Sequence, residues 1–329
     1  MRLRILVVTA MYPHPGNEGF GSFVMQQVQQ IRALGHQVDV LHFPGYRSRL
    51  EYLKAAVEVS RRTRRQSYDV VHAHYGVTGL PALFRSATPL VISLHGSDAL
   101  VGWHEPLISR IVCRLADATI VASKKIADRI PGDVIPCGVD LAIFEPKPKP
   151  EARQRLNLDS QRKYILFPFN PARSIKRFDL ASGAVTKLAR EGVDIELLTV
   201  SKVPNAEMPW YYSAADAMIL CSYSEGSSTA VKEALACNLP IVSTNVGDIR
   251  EIVQGIAGVE VVEQTPDALS GALKRVLYPP AAFAFNSRTA MERYSQPKMV
   301  EAIVRVYNRV IEQRISAIAL RAEGKSTGR

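Results

Sequence analysis

Residues 222–234 read Ser222-Tyr223-Ser224-Glu225-Gly226-Ser227-Ser228-Thr229-Ala230-Val231-Lys232-Glu233-Ala234. An apolar run, Ala217–Cys221, precedes them, and another, Ile241–Ser243, follows. Between the two, a Glu-Gly-Ser-Ser turn opens a helical pattern over Thr229–Ala236. Strand, turn, helix, strand is the unit of a parallel sheet covered on both faces. Moving outward, the unit recurs, with strands at Tyr164–Phe167 and Ile195–Val200 and helices at Phe178–Arg190 and Trp210–Ala215. The first half repeats the theme, with strands at Leu3–Thr9, Val38–Phe43, Val70–Ala73, Leu90–Leu94, Ala118–Val121 and Val134–Ile135. In its first helix Phe20, Phe23, Val24, Val28, Ile31 and Leu34 share a face, and Gly35 ends it as a glycine cap does.

Two Rossmann-like, doubly wound α/β domains are therefore expected, residues 1–145 and 146–295, with an inter-domain cleft. The run FEPKPKP (Phe144–Pro150), with prolines at alternate positions, reads as an extended linker about which the domains close. Residues 296–315 form an amphipathic helix expected to cross back to the first domain, and 316–329 a frayed tail.

Composition narrows the class. Hydrophobic residues make up 47% of the 329, as in an ordinary globular chain. The apolar run Ile5–Met11 is far short of the roughly 20 residues a spanning helix needs. Cys113, Cys137, Cys221 and Cys237 show no metal-binding spacing and read as reduced packing residues. A cytoplasmic chain is expected. Of the net charge of +10, residues 47–65 contribute half, with seven basic side chains against Glu51 and Glu58. The stretch reads as a solvated helix face or as one drawn to an anionic membrane surface, peripherally at its inner face. Nucleic acid is not expected, because no stacking aromatics interleave with the charges.

Ligands of open parallel sheets bind at the carboxyl ends of the strands. After the first strand, Gly19 and Gly21 lead into a helix, where backbone amides suit an anion. His72 and His74 end one strand, and His95 and Asp98 follow the next. Their spacing fits no common metal site, so substrate hydrogen bonding is the preferred reading, and no metal is expected. Arg173 and Lys176 follow the first strand of the second half, where a planar fork and a point charge suit a diphosphate. Glu225 precedes a helix start and Glu233 stands roughly 7–8 Å along its axis. Two carboxylates suit sugar and ribose hydroxyls, and the amides around Gly226, Ser227 and Ser228 suit phosphate oxygens. A plain Ser N-cap is the bland alternative.

These residues resemble glycosyltransferase family 4, of GT-B fold, whose signature is E-x7-E. The resemblance rests on Glu225 to Glu233 within EGSSTAVKEALACNLPIVSTNVGDIREIV, and on EGFGSFV, HAHYG, HGSD, IPCGVD and VPNAEMPWYYSAADAMIL. It implies a retaining, metal-independent hexosyltransferase moving a sugar from a nucleotide-diphosphate sugar to a glycan or polyprenyl-linked acceptor, in cell-surface polysaccharide or glycolipid synthesis. By the same resemblance Arg173 and Lys176 hold the diphosphate, Glu225 contacts the donor sugar beside Gly226, Ser227 and Ser228, and Glu233 grips the ribose. Gly19 and Gly21 close over the phosphates, and His95 lies near the reacting carbon. His72, His74 and Asp98 are acceptor-side candidates. The usual Gly-Phe-Gly is here Gly226-Ser227-Ser228, and Cys137 replaces the asparagine of the usual NGVD turn. A non-catalytic sugar-nucleotide-binding protein and a nicotinamide-dependent oxidoreductase are the alternatives; the latter lacks the GxGxxG fingerprint.

Overall fold

The computed structural model describes residues 2–14, 19–279 and 285–326, with side chains as far as Leu320. The loop leading into the first helix is expected to run from Pro13 to Gly21, and its residues 15–18 lie outside that set. The described residues divide into two compact units, one of residues 2–14, 20–136 and 297–326, the other of 19, 137–279 and 285–296.

The first unit is built on six parallel strands: β1 (Arg4–Thr9), β2 (Gln37–His42), β3 (Val70–His74), β4 (Leu90–Leu94), β5 (Ala118–Val121) and β6 (Asp133–Val134), in the order β2-β1-β3-β4-β5-β6. All of β3 and β4 is buried, because helices cover both faces. One face takes Val24, Val28 and Ile31 of the Ser22–Ala33 helix together with Val300, Ile303, Val306, Tyr307 and Val310 of the last helix. Gly21 begins the first helix at φ 68°. A Cβ there would stand 2.4 Å from the Met11 carbonyl carbon, so both the space and the dihedral require glycine.

The second unit carries five parallel strands: β7 (Lys163–Phe167), β8 (Ile195–Thr199), β9 (Ala217–Leu220), β10 (Ile241–Thr244) and β11 (Glu260–Val262), ordered β11-β10-β9-β7-β8. Its two apolar clusters lie on opposite faces of this sheet. Leu166, Met218, Leu220 and Ile241 point into one, and Ile165, Phe167, Ile219 and Val242 into the other.

Two expectations are corrected, and one strand is new. The Phe144–Pro150 run is no free linker. Phe144 is buried in the second unit's core, Arg288 Nη1 donates to its carbonyl, and a helix begins at Lys149. Proline is tolerated in a first helical turn, so the alternating prolines did not prevent that start. The last helix spans Gln296–Ser326, beyond the expected end at Ile315, as the helix formers Ala, Leu, Arg and Glu of its final turns allow. Strand β11 was not anticipated at all.

Candidate functional site

In the second sheet the chain leaves β7 for β8 on one side and reaches β9 on the other, so the topological switch point lies between β7 and β9. The loops after these two strands are joined. Tyr223 N donates to the Ile175 carbonyl at 2.9 Å, and Cys221 Sγ donates to the Arg177 carbonyl at 3.1 Å. This brings Lys176 and Glu225 together: Lys176 Nζ donates to Glu225 Oε1 at 2.5 Å and lies 4.0 Å from the centre of the Phe169 ring. Lys176 is buried and Glu225 partly exposed, while Arg173, at the start of the same turn, is exposed.

The Thr229–Ala236 helix starts behind Glu225, and its Ser228 N-cap makes no side-chain capping bond. Ser228 thus stands at the N-cap position without supplying the capping bond. The first amides carry the positive end of the helix dipole. Ser227 points elsewhere, its hydroxyl donating to Asp248 Oδ2 at 2.6 Å. Lys232, wholly buried, contacts Ser227 Oγ, donates to the Cys137 carbonyl at 2.9 Å and stands 3.8 Å from Asp248 Oδ2. Because the carbonyl of Cys137 is what Lys232 uses, this contact places no demand on the side chain at position 137. Gly247, at φ 57°, lets the loop after β10 lie against the Glu225–Gly226 backbone; a Cβ there would meet the Glu225 Cβ at 3.0 Å.

Glu233, farther along the Thr229–Ala236 helix, has a partner of its own. Tyr212, buried on the Met208–Ala214 helix, donates its hydroxyl to Glu233 Oε2 at 2.8 Å. Burial pushes the Glu233 carboxyl up to about 7, and the Tyr212 bond and the nearby Lys232 charge oppose that rise.

In the first unit the acceptor-side candidates His72, His74 and Asp98 are all buried. Asp98 holds the loop after β4, accepting from Gly96 N at 2.8 Å, His95 N at 3.1 Å and Gly76 N at 3.3 Å. Burial raises its carboxyl to about 6 against these amides. His72 lies between the Tyr307 hydroxyl (2.5 Å) and Ser93 Oγ (2.7 Å). His74 Nδ1 faces His95 Nε2 at 3.0 Å. Burial lowers His72 to about 3 and His95 to about 4, and holds His74 well below its ordinary value. His95 alone of the three keeps some exposure, between the rings of Phe23 (4.9 Å) and Tyr75 (5.0 Å). Tyr75 sits at φ 72°, a strained backbone for a bulky residue. Among the described residues no cluster of His, Cys, Asp or Glu is placed to hold a metal.

Sequence reasoning assigned no role to Tyr212, Lys232, Gly247, Asp248 or Gln27. The first four lie inside runs quoted above for their resemblance, and that membership was the available signal.

Two families match the chain, one in each half. Glycosyltransferase Family 4 matches residues 5–143 and Glycosyl transferases group 1 matches residues 173–278. TuaC of Bacillus subtilis (strain 168), a glycosyltransferase named for teichuronic acid biosynthesis, is 26% identical over 83% of this chain and 89% of its own. The D-inositol 3-phosphate glycosyltransferase of Kineococcus radiotolerans is 26% identical over 77% of this chain and 74% of its own. Among solved structures, sucrose-phosphate synthase of Thermosynechococcus elongatus matches with a TM-score of 0.76 at 17% identity, over 95% of this chain and 100% of that one. Anabaena HepE in complex with UDP matches at 0.69 and 16%, over 94% and 100%. The fold and these relatives define a glycosyltransferase of GT-B type. Within that class, residues 5–143 match the model of Glycosyltransferase Family 4. An oxidoreductase and a non-catalytic binding protein, the alternatives left open by the sequence, give way to this assignment.

Proposed function

We propose that the chain is a retaining hexosyltransferase that moves a sugar from a nucleotide-diphosphate sugar to a glycan or polyprenyl-linked acceptor, in cell-surface polysaccharide or glycolipid synthesis. The observation that carries this reading is the Lys176–Glu225 contact at the switch point, beside the uncapped start of the Thr229–Ala236 helix. Support for the donor class comes from Anabaena HepE, solved with UDP and glucose, and from a starch synthase solved with ADP. Support for the setting comes from TuaC and its teichuronic acid name.

In this reading the bond from the sugar's anomeric carbon to the diphosphate breaks through an oxocarbenium-like state while the acceptor oxygen bonds to that carbon. Lys176 and Arg173, with the amides of Gly226, Ser227 and Ser228, take up the charge of the leaving diphosphate. Glu225 accepts from the sugar hydroxyls and Glu233 from the ribose. His95 bonds the donor sugar, and Gly19 and Gly21 approach the phosphates. With the leaving charge assigned to these groups, turnover in excess EDTA is expected to equal turnover with added magnesium. A thermal-shift screen against nucleoside diphosphates and their sugars tests the donor class, since a ligand at 100 times its Kd stabilises by about 2.7 kcal/mol. No stabilisation by any nucleoside diphosphate sinks the reading.

Tyr212→Phe gives a sharper check on Glu233. The Tyr212 bond lowers that carboxyl, so its removal raises the folded value above about 7. If the ionised form binds ribose, the acid limb of donor affinity then moves to higher pH. An unmoved limb excludes Glu233 from the ribose site.

The membrane surface enters through the Arg49–Arg65 helix. Leu50, Leu53 and Val57 form an exposed ridge at 63%, 64% and 69%. Leu53 and Val57 line a groove of about 560 Å³ with Phe84, Arg61, Arg64 and Arg65. Apolar side chains flanked by arginines suit an anionic bilayer, where each basic residue contributes about 1 kcal/mol. Among the described residues no helix is long and apolar enough to cross a membrane. The protein is expected to co-sediment with phosphatidylglycerol vesicles at low salt, and Leu53→Glu with Val57→Glu to abolish this. Failure of the unaltered protein to bind such vesicles removes the idea.

A further inference from the structure

Two observations bear on how His95 is held. The ring centres of His74 and His95 are 5.3 Å apart with their planes 14° from parallel, while His74 Nδ1 and His95 Nε2 are 3.0 Å apart. The centre separation nearly equals that contact plus two ring radii, its greatest possible value, so the two nitrogens lie almost on the line joining the centres. The rings meet edge to edge in nearly one plane, the arrangement in which an imidazole N–H points along a neighbour's lone pair. On the far edge of His74, the buried Gln27 side chain places its amide nitrogen 3.5 Å from His74 Nε2. Gln27 belongs to the first helix, His74 ends β3 and His95 follows β4. Three separate elements thus supply one line of polar groups.

A neutral imidazole has one N–H and one bare nitrogen, and a bond at one fixes the role of the other. With the Gln27 amide N–H donating to His74 Nε2, His74 must carry its proton on Nδ1. It then donates to His95 Nε2, and His95 must carry its own proton on Nδ1. The opposite polarity needs the Gln27 amide turned over, with its oxygen accepting from His74 Nε2–H. We infer that Gln27 and His74 are positioning residues of the transferase site, fixing both the ring plane of His95 and its tautomer, with the proton on Nδ1. The inference rests on the reading of His95 as a donor-sugar contact. It also gives His74 a role that its burial allows. A hydroxyl on the donor sugar would then be read by a ring whose donor and acceptor edges do not exchange.

The test is the imidazole 15N spectrum of the labelled, full-length protein at pH 7.5, assigned with His74→Phe and His95→Asn, alongside steady-state kinetics. The unaltered protein is expected to show His95 with a pyrrole-type Nδ1 and a pyridine-type Nε2. Gln27→Met and His74→Phe are expected to average the two His95 nitrogens and to lower kcat about tenfold, near 1.4 kcal/mol, with donor KM little changed. His74→Asn, whose amide N–H stands near the place of Nδ1–H, is expected to keep the His95 tautomer and a kcat above that of His74→Phe. Thermal melts show whether each variant is folded. A proton on Nε2 of His95 in the unaltered protein overturns the inference, as does an unchanged His95 tautomer in both Gln27→Met and His74→Phe. Full turnover by His95→Ala is a different failure: it removes His95 from the site, while the spectrum still decides whether Gln27 and His74 set its tautomer.

Discussion

Replacing Lys176 by alanine is expected to lower turnover at least about a hundredfold while the protein stays folded. Removing one preorganised donor to developing charge costs about 2.7–4 kcal/mol in activation energy. At about 1.4 kcal/mol per factor of ten, that is a hundredfold to a thousandfold. Lys176 is well placed for such a loss. Its ammonium is buried, fixed by Glu225 Oε1 at 2.5 Å and by the Phe169 ring face at 4.0 Å. It therefore reorganises little when charge appears on the diphosphate. The cost to stability is smaller than for a sealed ion pair, because the remaining Glu225 side chain keeps an opening to water. Donor KM is expected to change less than kcat, since the leaving charge grows only towards the transition state. Lys176→Arg retains the charge but not its shape, and should fall between the two. Turnover near the unaltered rate in Lys176→Ala, measured with protein that melts normally, removes Lys176 from the mechanism.

Much of the fold was legible because parallel strands covered on both faces read as short apolar runs. The expected strands Leu90–Leu94 and Ala118–Val121 coincide with β4 and β5. Strand β11 was not legible: Glu260–Val262 is three residues long and only partly buried, so neither run length nor periodicity marks it. Phe144–Pro150 misled because proline spacing carries a local signal while the burial of Phe144 is tertiary. His72 and His74 show a further limit. Position at a strand end was readable, but exposure was not, since in β3 every residue is covered whichever face it points to. The pairing of Lys176 with Glu225 depends on β7 and β9 being neighbours, a topological fact that 49 residues of separation conceal. Lys232 is the extreme case. A lysine on a helix reads as solvated, and the partners that make its burial possible include Cys137 and Asp248, distant in sequence.

That burial leads to the largest stability effect expected for this chain. Lys232→Met is predicted to destabilise the second unit by about 3–5 kcal/mol, the cost of leaving a buried charge without its partner. At about 2–4 °C per kcal/mol for a unit of this size, the melting transition falls by about 10 °C. The charge left behind is Asp248. It is buried, its Oδ1 has no hydrogen-bond partner among the described residues, and once Lys232 is gone the carboxylate keeps only neutral donors, the Ser227 hydroxyl and the backbone amides of Ser228 and Asp248. Burial already raises the Asp248 carboxyl above its ordinary value, and the Lys232 charge is the main influence against that rise. Without it, the folded-state value climbs further. A carboxyl raised on folding contributes stability that is fully present below its unfolded value and is lost as pH rises through the folded one. The Lys232→Met penalty should therefore be small in mild acid and grow towards neutral pH. Adding Asp248→Asn removes the titrating charge, so the double variant should recover part of the lost melting temperature at pH 7.5 and lose the extra pH dependence. A penalty in Lys232→Met that is flat from pH 5 to pH 8, and untouched by Asp248→Asn, shows that Lys232 acts through packing rather than as the counter-charge of Asp248.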